Sequence, residues 1–552
     1  MHTMDKNKRP SNFFDGGTKR FRITLDERLS IISIENFPNE LFYEIFDYLD
    51  GIDIRNAFTN LNTRFNKLIN SSSLLFKIQL YLSESNETCI NNYKQFQHIN
   101  KHQIYSLCLL KPIYTDLLFP ELTINSSFDH LESLHMVQIE SNVLIPILIN
   151  LVCLPRLFSL IIEGWNTYTN LNEIYRLIFD LPKLKYNKFI SHGDQNSISL
   201  IPINNKQLST IEHLDIGHDC TFQDLSRLTS YTPQLCHLNC VYTTNIHEHI
   251  NITSSITLSN LTHLILYVYY VTFNEFEMFI SKINCSLTYI RLSSLSYDIT
   301  YLDSNRWEQL IVQYLPRLED FHLNYSIAFR NYCQDSAYFN MRNQFISPFW
   351  IERNWILDVN IDYHLITYAI QSPKKRWYDD GQKKMSKSFN KLSKATRLIV
   401  AYDDFDVLLE NIDHVLSITN IYHLEIVEKV TIFELSEILS SFKELDSLRI
   451  HSLSLEENGY ISNQDLLIYH SESKSNPITK LNLMKITNMR EIHFLMKFFP
   501  RLKYIKIDDM NQINIKTFIQ HILSMIYIKL DFRFRLFCFC LPTIDNAMIN
   551  DL

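Results

Sequence analysis

Histidines, cysteines and glycines set the chemistry this chain can attempt. His247-Glu248-His249 offers two imidazoles, which are good zinc ligands. The HExxH spacing that puts two histidines on one helix face is absent, and no third ligand stands near, so the segment reads as solvated loop. Cys236 with Cys240, and Cys538 with Cys540, miss the paired CxxC spacing of a zinc site. Cys108 and Cys240 fall inside apolar patterns and read as buried thiols. The chain has only 8 glycines in 552 residues. Dinucleotide folds, P-loops and nucleophile elbows need closely spaced glycines, because backbone there must approach a phosphate or turn sharply. The one adjacent pair, Gly16-Gly17, lies in a polar N-terminal stretch. No serine or cysteine has a histidine and a carboxylate near it in a nucleophilic arrangement. The expectation is a protein that is not an enzyme and uses no metal and no cofactor.

One motif argues the other way. Lys384-Met385-Ser386-Lys387-Ser388 spells the KMSKS signature, and Ile216-Gly217-His218 resembles the end of a HIGH motif. Together they resemble class I aminoacyl-tRNA synthetases, where both motifs close over ATP at a nucleotide-binding sheet. Here Asp215 stands in place of the first histidine and Ile216 ends a repeated apolar pattern. We read the pair as a coincidence within a loop rich in lysine and serine.

The elements that must position any site follow from charge and periodicity. Net charge is −8, which is not the footprint of a general nucleic-acid binder. The opening residues Met1–Arg20 are polar with no apolar core, and Leu144–Leu154 is too short to span a bilayer. A soluble protein of the cytoplasm, the nucleus or both is expected. Lys6, Lys8, Arg9, Lys19 and Arg20 fit either a split nuclear-import signal or a solvated tail over residues 1–33.

Character changes in residues 34–80. Pro38-Asn39-Glu40 is a helix start, and Leu41, Ile45, Phe46 and Leu49 recur on one helical face. Asp50-Gly51 ends that helix. Asp53 caps a second, with Ile54, Ala57, Phe58, Leu61, Phe65, Leu68 and Ile69 on its apolar side. Phe37-Pro38, Glu40-Leu41, Ile45-Phe46, Leu49, Asp53-Ile54, Arg64-Phe65 and Leu68-Ile69 together resemble the F-box, with Phe37 where leucine is usual and Phe65 where tryptophan is usual. The resemblance implies a short all-helical domain that docks on the Skp-type adaptor of a cullin ubiquitin ligase. Phe37, Pro38, Glu40, Leu41, Ile45, Phe46 and Leu49 would form the contact.

From residue 128 an LxxLxL core repeats. It starts at Leu131, Leu157, Ile211, Leu235, Leu261, Leu287 and Leu318, with a weaker copy at Leu184. It resumes at Ala395, Ile421, Leu445, Ile478 and Leu502. The six steps from Leu131 to Leu287 are 24 to 27 residues each, within the roughly 20–29 of leucine-rich repeats. Amphipathic stripes fill the gaps: Leu144, Ile147, Leu148, Leu151 and Val152; Trp307, Leu310, Ile311 and Tyr314; Leu435, Ile438, Leu439 and Phe442; Ile492, Leu495, Met496 and Phe499. A proline often stops the helix two residues before the next core: Pro155, Pro182, Pro233, Pro316 and Pro500. The expected fold is α/β: the helical domain, then a leucine-rich-repeat solenoid with a curved parallel sheet and outer helices. Residues 81–127 read as linker and cap, 128–329 as the first array, 330–394 as an irregular insertion with a basic loop at Lys374–Lys394, and 395–552 as the second array with its cap. Within the insertion, Phe349–Glu352 and Trp355–Val359 read as strands.

In an LxxLxL strand the residues between the leucines point away from the core. They would line a target-binding face at Asp215, Asn239, Ile265, Tyr267, Arg291, His322 and Asn324. The same register adds His135, Glu425, Arg449, His451 and Lys506. Tyr267, Tyr269 and Tyr270 read either as ordinary strand residues or as an aromatic anchor on that face. The family resemblance implies a receptor that holds a protein target for ubiquitination. The alternative is a repeat protein that binds partners outside ubiquitination, its helical unit serving as a cap.

Overall fold

The structure is a computed structural model. It describes residues 37–81, 87–110, 124–164, 168, 170–191, 208–243, 256–328, 344–371, 396–402, 404–454, 476–510, 517–520 and 536–539. The chain divides into two compact units, Met1–Leu74 and Leu75–Leu552.

The first unit holds three short helices: α1 (Asn39–Phe46), α2 (Gly51–Phe58) and α3 (Thr63–Ile69). Pro38 takes the extended conformation at the N-cap of α1. Asp50, rather than Asp53, caps α2, its carboxylate accepting the Ile52 N–H at 2.8 Å. The expected second helix is in fact two. Asn60 sits at φ 65°, a left-handed turn that asparagine tolerates, and Asn62 caps α3 by accepting the Phe65 N–H at 3.0 Å. Phe42 is at the centre. Its ring lies 4.9 Å from Phe65, 6.2 Å from Phe46 and 6.2 Å from Phe58. Edge-on aromatic packing of this kind adds about 0.5–1.5 kcal/mol per pair beyond area burial.

The second unit is built around an 18-stranded, mostly parallel sheet among the described residues. Neighbouring strands align the repeated cores. Leu134, Leu160, Asn187, Leu214, Leu238, Leu264, Ile290 and Phe321 form one continuous row across eight strands. All of them are buried. Each fully buried aliphatic side chain contributes about 1.5–3 kcal/mol, so such rows dominate the stability of the sheet. Asn187 alone breaks the apolar row. Its Nδ2 donates to the Leu160 carbonyl at 3.2 Å while its Oδ1 is buried without a partner.

The ladder starts earlier than residue 128. Phe76–Tyr81 pairs in parallel with Ile104–Leu110, and that strand with Ser133–Val137. Phe76–Tyr81 and Ile104–Leu110 therefore belong to the sheet, where the helical domain of residues 34–80 and the linker of residues 81–127 were expected. Leu75-x-x-Ile78-x-Leu80 and Ile104-x-x-Leu107-x-Leu109 carry the same core pattern. Helices follow many strands, and four among the described residues open with a capping box: Thr221 with Asp224, Thr272 with Glu275, Thr431 with Glu434 and Asn488 with Glu491.

The middle of the sheet departs from expectation. Pro348–Glu352 is a helix, not a strand, with proline at its first position. Ile356–Asp362 and Leu365–Gln371 form a hairpin turning at Tyr363-His364. Leu365–Gln371 also pairs antiparallel with Asp320–Ala328, and Ile356–Asp362 pairs in parallel with Arg397–Val400. This hairpin within the insertion is thus part of the sheet and joins its two parallel halves. An aromatic cluster fixes it: Trp350 and Trp355 are buried, with Phe345 at 4.8 Å from Trp350 and Phe321 at 5.5 Å from Trp355. Beyond it, Leu398, Leu424, Leu448, Leu481 and Ile505 continue the inward row, and Leu536–Phe539 pairs with Tyr504–Ile507.

Among the described residues, no helix is long and apolar enough to cross a membrane. The KMSKS segment, His247–His249 and Lys374–Lys394 lie outside the described residues.

Candidate recognition surface

Side chains alternate along each strand, so the residues between buried positions form an open face. Strand register brings Asp215, Asn239, Ile265, Arg291 and His322 side by side on five successive strands. Tyr267, Ser293 and Asn324 form the next row. All seven residues expected to bind a target share this face and are at least partly exposed.

A feature beside them was not anticipated. Tyr186, His213, His237, His263 and Tyr289 sit one above another on consecutive strands, each just before a core residue. Ring centroids are 6.3 Å apart for Tyr186–His213, 4.0 Å for His213–His237, 4.1 Å for His237–His263 and 5.4 Å for His263–Tyr289. His322 continues the column at 5.3 Å from Tyr289. The signal in the sequence was the recurring His-Leu pair at 213, 237 and 263. Burial, and then the neighbouring imidazoles, pull His237 down to about 4. Its Nδ1 is buried without a partner. The centre of the column is therefore neutral at pH 7.

Charges flank the column in pairs. Lys188 donates to Glu163 at 2.6 Å, and that bond holds the lysine above its usual range. His135 Nε2 stands 3.6 Å from the other Glu163 oxygen. Burial raises Asp215 above the usual carboxylate range, against a hydrogen bond from Asn239.

The later half of the face is different. Arg397 bonds Asp358 at 2.9 Å and Glu425 at 3.2 Å, while Arg449 reaches Asp508 at 3.2 Å and Lys506 lies 3.3 Å from that same carboxylate. The charges alternate in sign along this chain and neutralise one another, while Arg397 Nε and Arg449 Nε are buried without a hydrogen-bond partner. Glu425 is 8% exposed, so it is an internal link rather than the surface contact expected of it.

His218, in the HIGH-like segment, is a buried bridge. Its Nδ1 lies 3.0 Å from the Asp219 carbonyl, and the Tyr175 hydroxyl is 2.6 Å from Nε2. With Nδ1–H donating to the carbonyl, Nε2 accepts the tyrosine proton, and burial keeps the ring below its ordinary value. Gly217 is needed for packing, since a Cβ there would come within 2.6 Å of Ile190 Cγ1. Among the described residues, no three histidine, cysteine or acidic side chains are placed to hold a metal.

In the helical unit, Phe37, Pro38, Glu40 and Leu49 are exposed, and Leu41 and Ile45 are half-buried. Phe46 is 3% exposed and packs 5.1 Å from Phe58. It holds the helices together and is not at the surface. Leu61, expected on the apolar side of a helix, is exposed in the turn before α3, as is Tyr48 after α1. Val152, at the end of its stripe, is also exposed.

No protein-family model matches this chain, and no curated protein matches it.

Proposed function

We propose that this protein is the target-recognition subunit of a cullin-type ubiquitin ligase, with F-box-like helices in residues 37–70 that bind a Skp-type adaptor and a leucine-rich-repeat sheet that holds a protein target. The reading rests on the F-box resemblance. It is supported by one observation above all: three helices with an aromatic core of their own leave Phe37, Leu49, Tyr48 and Leu61 at the surface. A unit this small rarely leaves so much apolar area uncovered without a partner.

The protein would contribute proximity, not chemistry. A target held on the open face meets the activated ubiquitin of the ligase at high effective concentration. The mixed surface around Asp215, Asn239, Ile265 and Arg291 suits a polypeptide better than a phosphate backbone, which selects runs of lysine and arginine.

Co-purification tests this. The full chain should bring down a Skp-type adaptor and cullin, and removal of residues 34–70 should abolish the association. Failure to recover the adaptor with full-length, folded protein would favour a binding scaffold that works outside ubiquitination.

A further inference from the structure

Four tyrosines gather at one end of the open face. Tyr267 and Tyr269 project from strand His263–Tyr269, Tyr270 follows it, and Tyr297 lies in the loop after strand Tyr289–Leu295. They are 36, 42, 60 and 52% exposed respectively. Exposed aromatic rings in one cluster are uncommon on a protein surface and mark contact sites.

The cluster is rigid. Three hydrogen bonds zip the two loops together: Tyr270 N–H to the Leu295 carbonyl at 2.9 Å, Ser296 Oγ to the Val271 carbonyl at 3.2 Å, and Phe273 N–H to Asp298 Oδ2 at 2.7 Å. Tyr270 sits at φ 58°, a conformation that bulky side chains rarely adopt. Its ring is exposed and rests 6.0 Å from Tyr297. The fold thus tolerates backbone strain to present a ring to solvent, as contact sites do.

The charge beside the tyrosines is net negative, because Arg306, 4.5 Å from the Phe273 ring centre, is paired with Glu277 at 2.6 Å. Asp298 accepts from Phe273 N–H, Thr300 N–H and Thr300 Oγ1, and Glu275 accepts from Thr272 N–H and Oγ1. All these donors are neutral. The helix start at Phe273 carries about half a positive charge, which leaves the two carboxylates net negative. Arg291 lies opposite Ile265, further down the face, and bounds the patch on that side.

We propose that this rim is a docking platform for a basic polypeptide segment, whose lysine or arginine side chains lie on Tyr269, Tyr270 and Tyr297 and pair with Asp298 and Glu275. This rests on the reading of the open face as the target surface and specifies the target's chemistry. Tyrosine faces attract cations, and the long stems of lysine and arginine cover their rings. The platform is pre-formed, so little side-chain entropy is lost on contact.

The test uses full-length protein and three fluorescent peptides of equal length: Gly-Arg, Gly-Glu and Gly-Ala repeats. Anisotropy should show binding of the Gly-Arg peptide alone, weakening as salt rises. Tyr270→Gly should reduce that affinity about tenfold while the melting temperature holds or rises, because glycine adopts the left-handed conformation freely. Glu275→Gln keeps the capping box and should lower both the affinity and its salt dependence. Equal binding of the Gly-Glu peptide, or unchanged Gly-Arg binding by Tyr270→Gly and Tyr297→Ala, would overturn the proposal. Loss with Asn239→Trp alone would move the contact to the middle of the face, overturning the rim while sparing the face. Indifference to all these variants would remove both readings.

Discussion

Arg64 reaches back from α3 to the first turn of α1, donating from Nε at 2.9 Å and from Nη2 at 2.7 Å to the Asn39 side-chain oxygen. Nη2 also meets the Phe37 carbonyl at 2.5 Å, and the guanidinium lies 5.5 Å from the Phe42 ring centre. One planar cation therefore fixes the segment that carries Phe37 and Pro38. Lysine cannot reproduce this fork. Arg64→Lys should loosen the start of α1 by about 1 kcal/mol, seen as faster amide exchange at Phe42 and Tyr43. Unchanged exchange there would show that the fork is dispensable.

The adaptor contact should be probed away from the aromatic core. Leu41→Ala with Leu49→Ala should weaken adaptor capture by about 2–4 kcal/mol and leave the circular dichroism unchanged. Phe46→Ala should instead destabilise the helical unit, since Phe46 packs against Phe42 and Phe58. Normal capture by the folded Leu41/Leu49 double variant would remove these side chains from the interface.

The histidine column makes stability depend on pH. His237 is held at about 4 in the folded chain, below the ordinary value of about 6.5 expected when unfolded. The unfolded chain then binds the proton more readily. The contribution is full above about pH 6.5 and fades as pH falls toward 4. Its size is limited because the column lies at a solvated face, where water screens the charges. His237→Phe keeps a ring in the stack and removes the titrating group. Its melting temperature should fall less between pH 7 and pH 5 than that of the parent. Identical pH profiles would show that the column does not titrate in this way.

Asn187 occupies a leucine position in the buried row with one oxygen unpartnered. Asn187→Leu should raise stability by about 1–2 kcal/mol, through relief of that oxygen and added apolar burial. Lower stability in urea unfolding would mean that the hydrogen bond to the Leu160 carbonyl matters more than the row.

Arg397 ties the hairpin to the second parallel half through Asp358 and Glu425. Arg397→Met would remove the nearest cation from two carboxylates that are both nearly buried, 7% and 8% exposed, leaving Glu425 with Arg449 at 3.9 Å. The expected loss is about 3 kcal/mol, and Asp358→Asn combined with Glu425→Gln should restore part of it. No loss in the single variant would mean that solvent or the remaining bases satisfy the carboxylates.

The sequence by itself determined where the LxxLxL strands from residue 131 onward fall and which of their core positions are buried; it missed Phe76–Tyr81, Ile104–Leu110 and Leu365–Gln371 and read the helix at Pro348–Glu352 as strand. LxxLxL has the period of two that a half-buried strand requires, and its recurrence every 24 to 27 residues from Leu131 to Leu287 is visible without any contact being known. The face bearing Asp215, Asn239, Ile265 and Arg291 follows from the same alternation. Tertiary structure decided what touches what. His213, His237 and His263 are far apart in the chain and stack because the strands pair in register, which periodicity alone does not place in space. The direction of strand Leu365–Gln371 depended on how its hairpin met Asp320–Ala328. Phe46 shares its helical face with Leu41 and Ile45, but the rings of Phe42 and Phe58 converge on it from inside the unit. Only the packing of three helices could separate the one buried residue of that stripe from its more accessible neighbours.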